Sequence, residues 1–144
     1  MHANPLGVDG LDDATIRSVL TTTRRIALVG ASANPDRPSN EVLGFLLARG
    51  YAVTPINPGL AGQSLYAQTV VAALDDATPL EMVELFRASD QVLAPVQDAI
   101  RLGARVVWMQ LGVINQDAAA LARAAGLIVV MGRCPMIEMA RLGL

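Results

Sequence analysis

The segment LVGASANPDRPSN, Leu28 to Asn40, gathers residues suited to an anion: Gly30, Ala31, Ser32, Arg37 and Ser39. Gly30 lets a chain turn closely at the end of a strand. The backbone N–H groups around Ala31 and Ser32, with the Ser32 hydroxyl, can cradle an anion. A helix starting just after would point its positive end at the same place. Arg37 can add a full charge, and Ser39 can cap the helix or donate to a phosphate. A plainer reading also fits: Gly30 a turn, Ser39 a cap, and no ligand. The spacing is not the G-x-G-x-x-G of a dinucleotide turn, because Ala31 and Ser32 follow Gly30 and a Pro-punctuated segment comes next.

Three more turns carry candidates. Asn57-Pro58 lies where an NAD-binding domain places Asp or Glu to hold the ribose hydroxyls. Asn57 can hydrogen-bond but carries no charge, which disfavours NAD. Phe86-Arg87 offers a second partner for a phosphate; in isolation Arg87 reads as a surface arginine. Gln110-Leu111-Gly112 can bring a backbone amide to a ligand, or is an ordinary turn. Trp108 sits in an apolar strand and reads as core, as do Met131, Met136 and Met139. Cys134 follows Arg133 near a helix start, a setting that can favour the thiolate, although a buried inert thiol is the simpler reading. Asp12-Asp13 and Asp75-Asp76 read as solvated or capping groups, with no acid–base dyad.

Composition removes other chemistry. The 144 residues carry a net charge of −2, so no broad basic field draws nucleic acid. Every basic residue is Arg, which excludes Schiff-base chemistry and a Walker-type lysine. The only His is His2, in a terminal segment expected to be flexible, so a Ser-His-Asp triad, a His metal site and a His general base are not expected. One cysteine permits no internal disulfide and fits a reducing cytoplasm. The N-terminus does not read as a secretory signal, and no run of about 18 apolar residues suggests a membrane span.

These residues need elements to hold them. Hydrophobic content of 53% is enough for a full core. Residues 11–22 read as a leading helix capped by Asp12 or Asp13, and 25–29 as a strand buried on both faces. A helix is expected from Pro38 to Gly50, a second strand at 51–57, then a loop, and a third strand at 81–86. A helix over 90–103, with Pro95 near its true start, precedes a fourth strand at 104–110. An Ala-rich helix capped by Asn115 and ended by Gly126, a fifth strand at 127–131 and a helix from Cys134 complete the chain. The alternation predicts an α/β fold, a doubly wound Rossmann-like parallel five-stranded sheet in a single domain spanning 1–144, with 1–10 a flexible N-terminal segment. By analogy the strand order is 3-2-1-4-5. Ligands of such sheets bind beyond the carboxyl ends of the strands, where the order reverses, and the four turns named above meet there.

Taken together, VGASANPDRPSNEV, GYAVTPINP, VELFRAS, ARVVWMQLGVIN and AGLIVVMGRCPMIEMARL resemble the stand-alone CoA-binding proteins of bacteria. These are Rossmann-like domains related to the CoA-binding part of the succinyl-CoA synthetase alpha subunit. The resemblance implies coenzyme A or an acyl-CoA as ligand. It puts contacts on Gly30, Ala31, Ser32, Arg37, Ser39, Asn57, Pro58, Phe86, Arg87, Gln110, Leu111 and Gly112. The chain departs from the family pattern at Gly59, where a basic residue is frequent, and at Gly132, where Asp is frequent. The synthetases act through a phosphorylated histidine on a further domain, and no suitable His exists here, so binding without catalysis is the expectation. The protein is expected as a monomer or homodimer that binds a small nucleotide ligand, no nucleic acid and no membrane. Two other readings stay open: a small NAD(P)-dependent oxidoreductase, and a nucleotide-responsive regulatory or interaction module.

Overall fold

The computed structural model describes residues 7–144. His2 and the first part of the N-terminal segment lie outside the described residues. Helix α1 (Asp13–Thr22) begins after Asp12, whose carboxylate accepts from the Thr15 N–H at 2.9 Å. Strand β1 (Arg25–Val29) is RIALV, an exposed Arg25 followed by four buried apolar residues. Helix α2 (Pro38–Ala48) leads to strand β2 (Ala52–Ile56). A short hairpin follows, β3 (Ser64–Leu65) against β4 (Gln68–Thr69), where the sequence predicted only loop. Then come β5 (Met82–Leu85), α3 (Leu93–Arg101), β6 (Val106–Met109), α4 (Gln116–Ala124), β7 (Ile128–Met131) and α5 (Pro135–Leu142). Asn115 caps α4 by accepting from Ala118 N–H at 2.9 Å. Pro95 sits inside the first turn of α3, where a missing N–H costs nothing. No helix among the described residues is long and apolar enough to cross a membrane.

The five long strands form one parallel sheet in the order β2-β1-β5-β6-β7. Numbered by appearance, that is 2-1-3-4-5, which corrects the expected 3-2-1-4-5. The reason lies in the connection after β2. It contains no α-helix, and it turns back along the outer edge of β2: Val71 N–H donates to Pro55 O and Asn57 N–H to Val71 O, each at 3.0 Å. That edge is therefore covered, and the third strand pairs on the far side of β1. The order reverses between β1 and β5.

Side chains alternate between the two faces of the sheet, as the strand period requires. One face packs Ile26, Leu28, Met82 and Trp108 under α1, α2 and α5. The other packs Ala27, Val29, Val83 and Val107 under α3 and α4, whose small Ala118, Ala119 and Ala122 allow close approach. Trp108 and Met131 are fully buried and Met139 nearly so, as core residues should be; Met136 is half-buried.

Residues 7–10 depart from the expected flexible segment. Asp9 is buried, and its carboxylate accepts from the N–H groups of Leu11 and Met131, both at 3.0 Å. The Arg133 guanidinium forks onto the same carboxylate, with Nε and Nη2 each at 2.9 Å, while its Nη1 reaches Glu138 at 2.8 Å. Burial pushes the Asp9 carboxyl up, but the Arg133 hydrogen bonds and the two backbone donors outweigh it and hold it below the usual range. Asp75 is solvated as expected, and on the surface it also pairs with Arg101 at 3.0 Å.

Glu84 is the exception in the core. It is fully buried in β5 between Leu28 and Trp108, and neither carboxyl oxygen has a hydrogen-bond partner. Burial, with a smaller contribution from Cys134, raises its pKa well above the ordinary value, which favours the neutral form in the fold. The unfolded chain ionises it near 4.5, so native stability is lost progressively as pH rises above that value. Glu84→Leu is therefore expected to unfold at a higher temperature than the parent at pH 7, by on the order of 2 kcal/mol. Thermal melts from pH 4 to pH 8 should show the gap closing toward pH 4. Asp9→Ala removes one of the two buried carboxylates that pair with Arg133 and is expected to cost on the order of 3 kcal/mol in urea unfolding.

Candidate functional site

A cleft of about 870 Å³ opens across the carboxyl ends of the strands, centred where the order reverses. At its floor Gly30 has φ +90°, and a Cβ there would lie 2.1 Å from the Phe86 carbonyl oxygen. Only glycine lets the ends of β1 and β5 approach this closely. The N–H groups of Gly30 and Ala31 both donate to Ile56 O at 3.1 Å. The Ala31 N–H expected to cradle an anion is thus committed to the sheet. The open donors fall one residue later: Ser32 and Ala33 N–H have no acceptor among the described residues.

The rest of the first loop is set by its own polar residues. The Ser32 hydroxyl accepts from Asn34 N–H at 3.1 Å, which leaves its hydrogen free to donate. Asn34 Oδ1 accepts from Asp36 N–H at 2.9 Å. Arg37, not Ser39, occupies the cap position of α2, and it makes no side-chain cap bond. Pro38 takes the first helical position, where it has no N–H to satisfy. Ser39 follows it, buried, with its hydroxyl unpartnered and its N–H without an acceptor. The start of α2 therefore presents unspent donors at the positive end of a helix. The Arg37 side chain is exposed and makes no ion pair or hydrogen bond among the described residues.

Asn57 ties the second turn to the first. Its Nδ2 donates to Ala31 O at 2.8 Å and its Oδ1 accepts from Gly59 N–H at 2.8 Å. Each end of the amide thus makes one positioning contact, and the second Nδ2 hydrogen stays free. Across the cleft, Arg87 is exposed and donates to Gln91 Oε1 at 3.2 Å. Gln110 is buried, and its Oε1 has no partner. Leu111 is 59% exposed and lies on the rim.

Of the residues expected at the site, all but Pro58 and Gly112 line this cleft. Pro58 faces an adjoining hollow beside α3, and Gly112 one beside Val8 and Arg133. Asn34, Leu60, Val113, Cys134 and Ile137 line the cleft without having been expected there. Ile137, 52% exposed at the start of α5, is an apolar residue on the polar side of its helix, a signal the sequence does carry. A second missed feature lies behind α2. Tyr66 Oη donates to Asn40 Oδ1 at 2.7 Å, and Asn40 Nδ2 donates to Ser32 O at 2.8 Å. The small hairpin thus braces the first loop through α2.

Two arginines line the cleft and no carboxylate does. Residues 24–140 match the family described as the CoA binding domain. The chain belongs to that family. Among solved structures it is similar to the hypothetical protein from Pyrococcus horikoshii OT3, 39% identical, with a TM-score of 0.92 and full coverage of both chains. It is 31% identical over 121 residues to the uncharacterized protein YneT of Bacillus subtilis, covering 84% of this chain and 89% of that protein. A Rex-family repressor, RSP, solved in complex with beta-NADH, is 14% identical with a TM-score of 0.57, covering 89% of this chain and 62% of that one. That likeness extends to the fold alone.

The glycine constraint gives a direct test. Gly30→Ala is expected to lower the melting temperature sharply and to abolish ligand binding, because the ends of β1 and β5 must separate. A variant that melts and binds like the parent would show that they can part without loss.

Proposed function

We propose that the protein binds coenzyme A or an acyl-CoA in this cleft, as a binding module and not as a catalyst. The single observation that supports the reading best is the charge of the cleft. In a chain of net charge −2, its lining carries Arg37 and Arg87 and no Asp or Glu. CoA brings a pyrophosphate and a 3′-phosphate, which such a lining suits. The pyrophosphate would lie on the open donors of Ser32, Ala33 and Ser39, with Gly30 and Ala31 forming the floor. Arg37 and Arg87 would face the phosphates, and Phe86 would offer its ring to an apolar part of the ligand. Asn57 and Pro58 would shape the turn: the Asn57 amide holds the first loop with one Nδ2 hydrogen, which leaves the second free for the ligand. Gln110, Leu111 and Gly112 would border the far end.

The chain's own groups argue against turnover. Among the described residues the cleft lining holds no His, Lys or carboxylate to move a proton, and its one thiol is Cys134. The place at which NAD would seek an acid is filled by Asn57.

Thermal-shift titration with CoA, acetyl-CoA, 3′-dephospho-CoA, NAD and NADP tests the reading, since a ligand of the native state raises apparent stability. A shift with CoA and none with the dinucleotides is expected; a shift with NAD or NADP alone would overturn it. Arg37→Ala should weaken CoA roughly tenfold, the loss of one charge-assisted contact, with little change in melting temperature. Unchanged affinity would remove Arg37 from the site.

A further inference from the structure

We infer that the cleft also takes CoA in its oxidised form, exchanging a CoA disulfide onto Cys134 to leave a protein–CoA mixed disulfide. The inference rests on the CoA reading above and adds to it a covalent step and the residue that carries it.

The order of the strands arranges the cleft from end to end. The turns after β1 and β5 bring Arg37 and Arg87, and those after β6 and β7 bring Leu111, Val113, Cys134 and Ile137. Charge thus lies at the middle of the sheet edge and apolar surface at one end. CoA is built the same way, with phosphates toward one end and a thiol at the tip of a largely uncharged arm. Matching the two places the thiol tip beside Cys134.

Gln110 is the independent sign of an occupant. It stands at the end of β6, between the arginines and Cys134, 7% exposed, and its Oε1 has no partner. An unmet buried acceptor is costly unless something donates to it. The pantetheine arm carries amide N–H groups that can do so once the Gln110 side chain turns its covered Oε1 toward the cleft it lines.

Cys134 is placed to react. It lines the cleft and is 8% exposed. It caps α5 and thus sits at the positive end of that helix. Its neighbour Arg133 is spent on Asp9 and Glu138. Burial raises the pKa of the nearby Glu84 carboxyl, which favours its uncharged form beside an attacking thiolate.

The step is a thiol–disulfide exchange. Cys134 loses its proton, and its Sγ attacks one sulfur of the CoA disulfide. The bond between the two CoA sulfurs breaks as the Sγ–S bond forms. One CoA leaves as a thiolate and takes up a proton. Cys134 is oxidised, one CoA is reduced, and no other oxidant is needed.

The test uses the full chain with the symmetrical disulfide of CoA and, separately, glutathione disulfide, followed by intact mass and peptide mapping. A single adduct of one CoA less two hydrogens is expected on Cys134, reversed by dithiothreitol, forming at least roughly tenfold faster than the glutathione adduct because binding holds the reactants together. Arg37→Ala should slow the CoA adduct and leave the glutathione adduct unchanged; Cys134→Ser should show neither. Calorimetry with reduced CoA runs alongside. Reversible binding of CoA with no adduct on Cys134 overturns this inference and spares the CoA reading. Equal rates with both disulfides overturn it too, since Cys134 would then be a generally reactive thiol. No CoA binding and no adduct overturn both.

Discussion

The close passage of Gly30 against the Phe86 carbonyl is the constraint on which the rest of the molecule depends. The strand order reverses there, and the crevice of a doubly wound sheet exists because two neighbouring strands send their chains to opposite sides. The two ends can meet only without a Cβ between them. Once they do, Ile56 O can collect the N–H groups of both Gly30 and Ala31. Three strand ends are then locked to one another. The first loop leaves the lock in a fixed direction, and the start of α2 inherits that direction.

Around this point the protein separates holding from binding. Asn57, Asn40 and Tyr66 spend their polar groups on one another or on the backbone. Ser32, Ser39 and Arg37 keep donors unspent on the cleft side. The hairpin that carries Tyr66 has its two tip residues, Tyr66 and Ala67, at φ 49° and 63°, as a two-residue turn of this hand demands. Neither is a glycine, so the turn carries strain. The ring packs against Gly44, where a Cβ would come within 2.8 Å, and this contact with the Asn40 hydrogen bond offsets that strain. A strained turn at the back thereby steadies an open loop at the front.

Much of this was legible in the residues. After an exposed first residue, IALV in β1 and VVM in β7 are apolar without interruption because helices cover both faces of the parallel sheet. Asp12 and Asn115 cap helices, as short polar side chains before an apolar stripe should. The four turns could be assigned to one edge because every strand is parallel. The strand order could not be read, because it depends on which edge of β2 the following segment covers. That covering is made by backbone hydrogen bonds at Val71 with no distinctive side chain. The hairpin was hidden as well: its strands are two residues long, too short for a period, and its turn lacks the usual Asn-Gly. Asp9 and Arg133 stand 124 positions apart, and nothing local marks them as partners. Glu84 passed as one more residue of a strand because its neighbours are apolar. A neutral carboxyl in a core differs little from them in outline.

The double use of the Asn57 amide also bears on how cofactor preference could drift in this fold. An acid at the end of the second strand is the simplest single change that would recruit a ribose diol. Here an aspartate would turn a carboxylate oxygen toward the Ala31 carbonyl, acceptor against acceptor, where a donor now stands. The first loop would lose its tether at the moment the second gained a new contact. The one-step route toward a nicotinamide dinucleotide is therefore barred by the loop's own architecture. A lineage carrying this turn would have to rebuild the first loop before it could change its ligand.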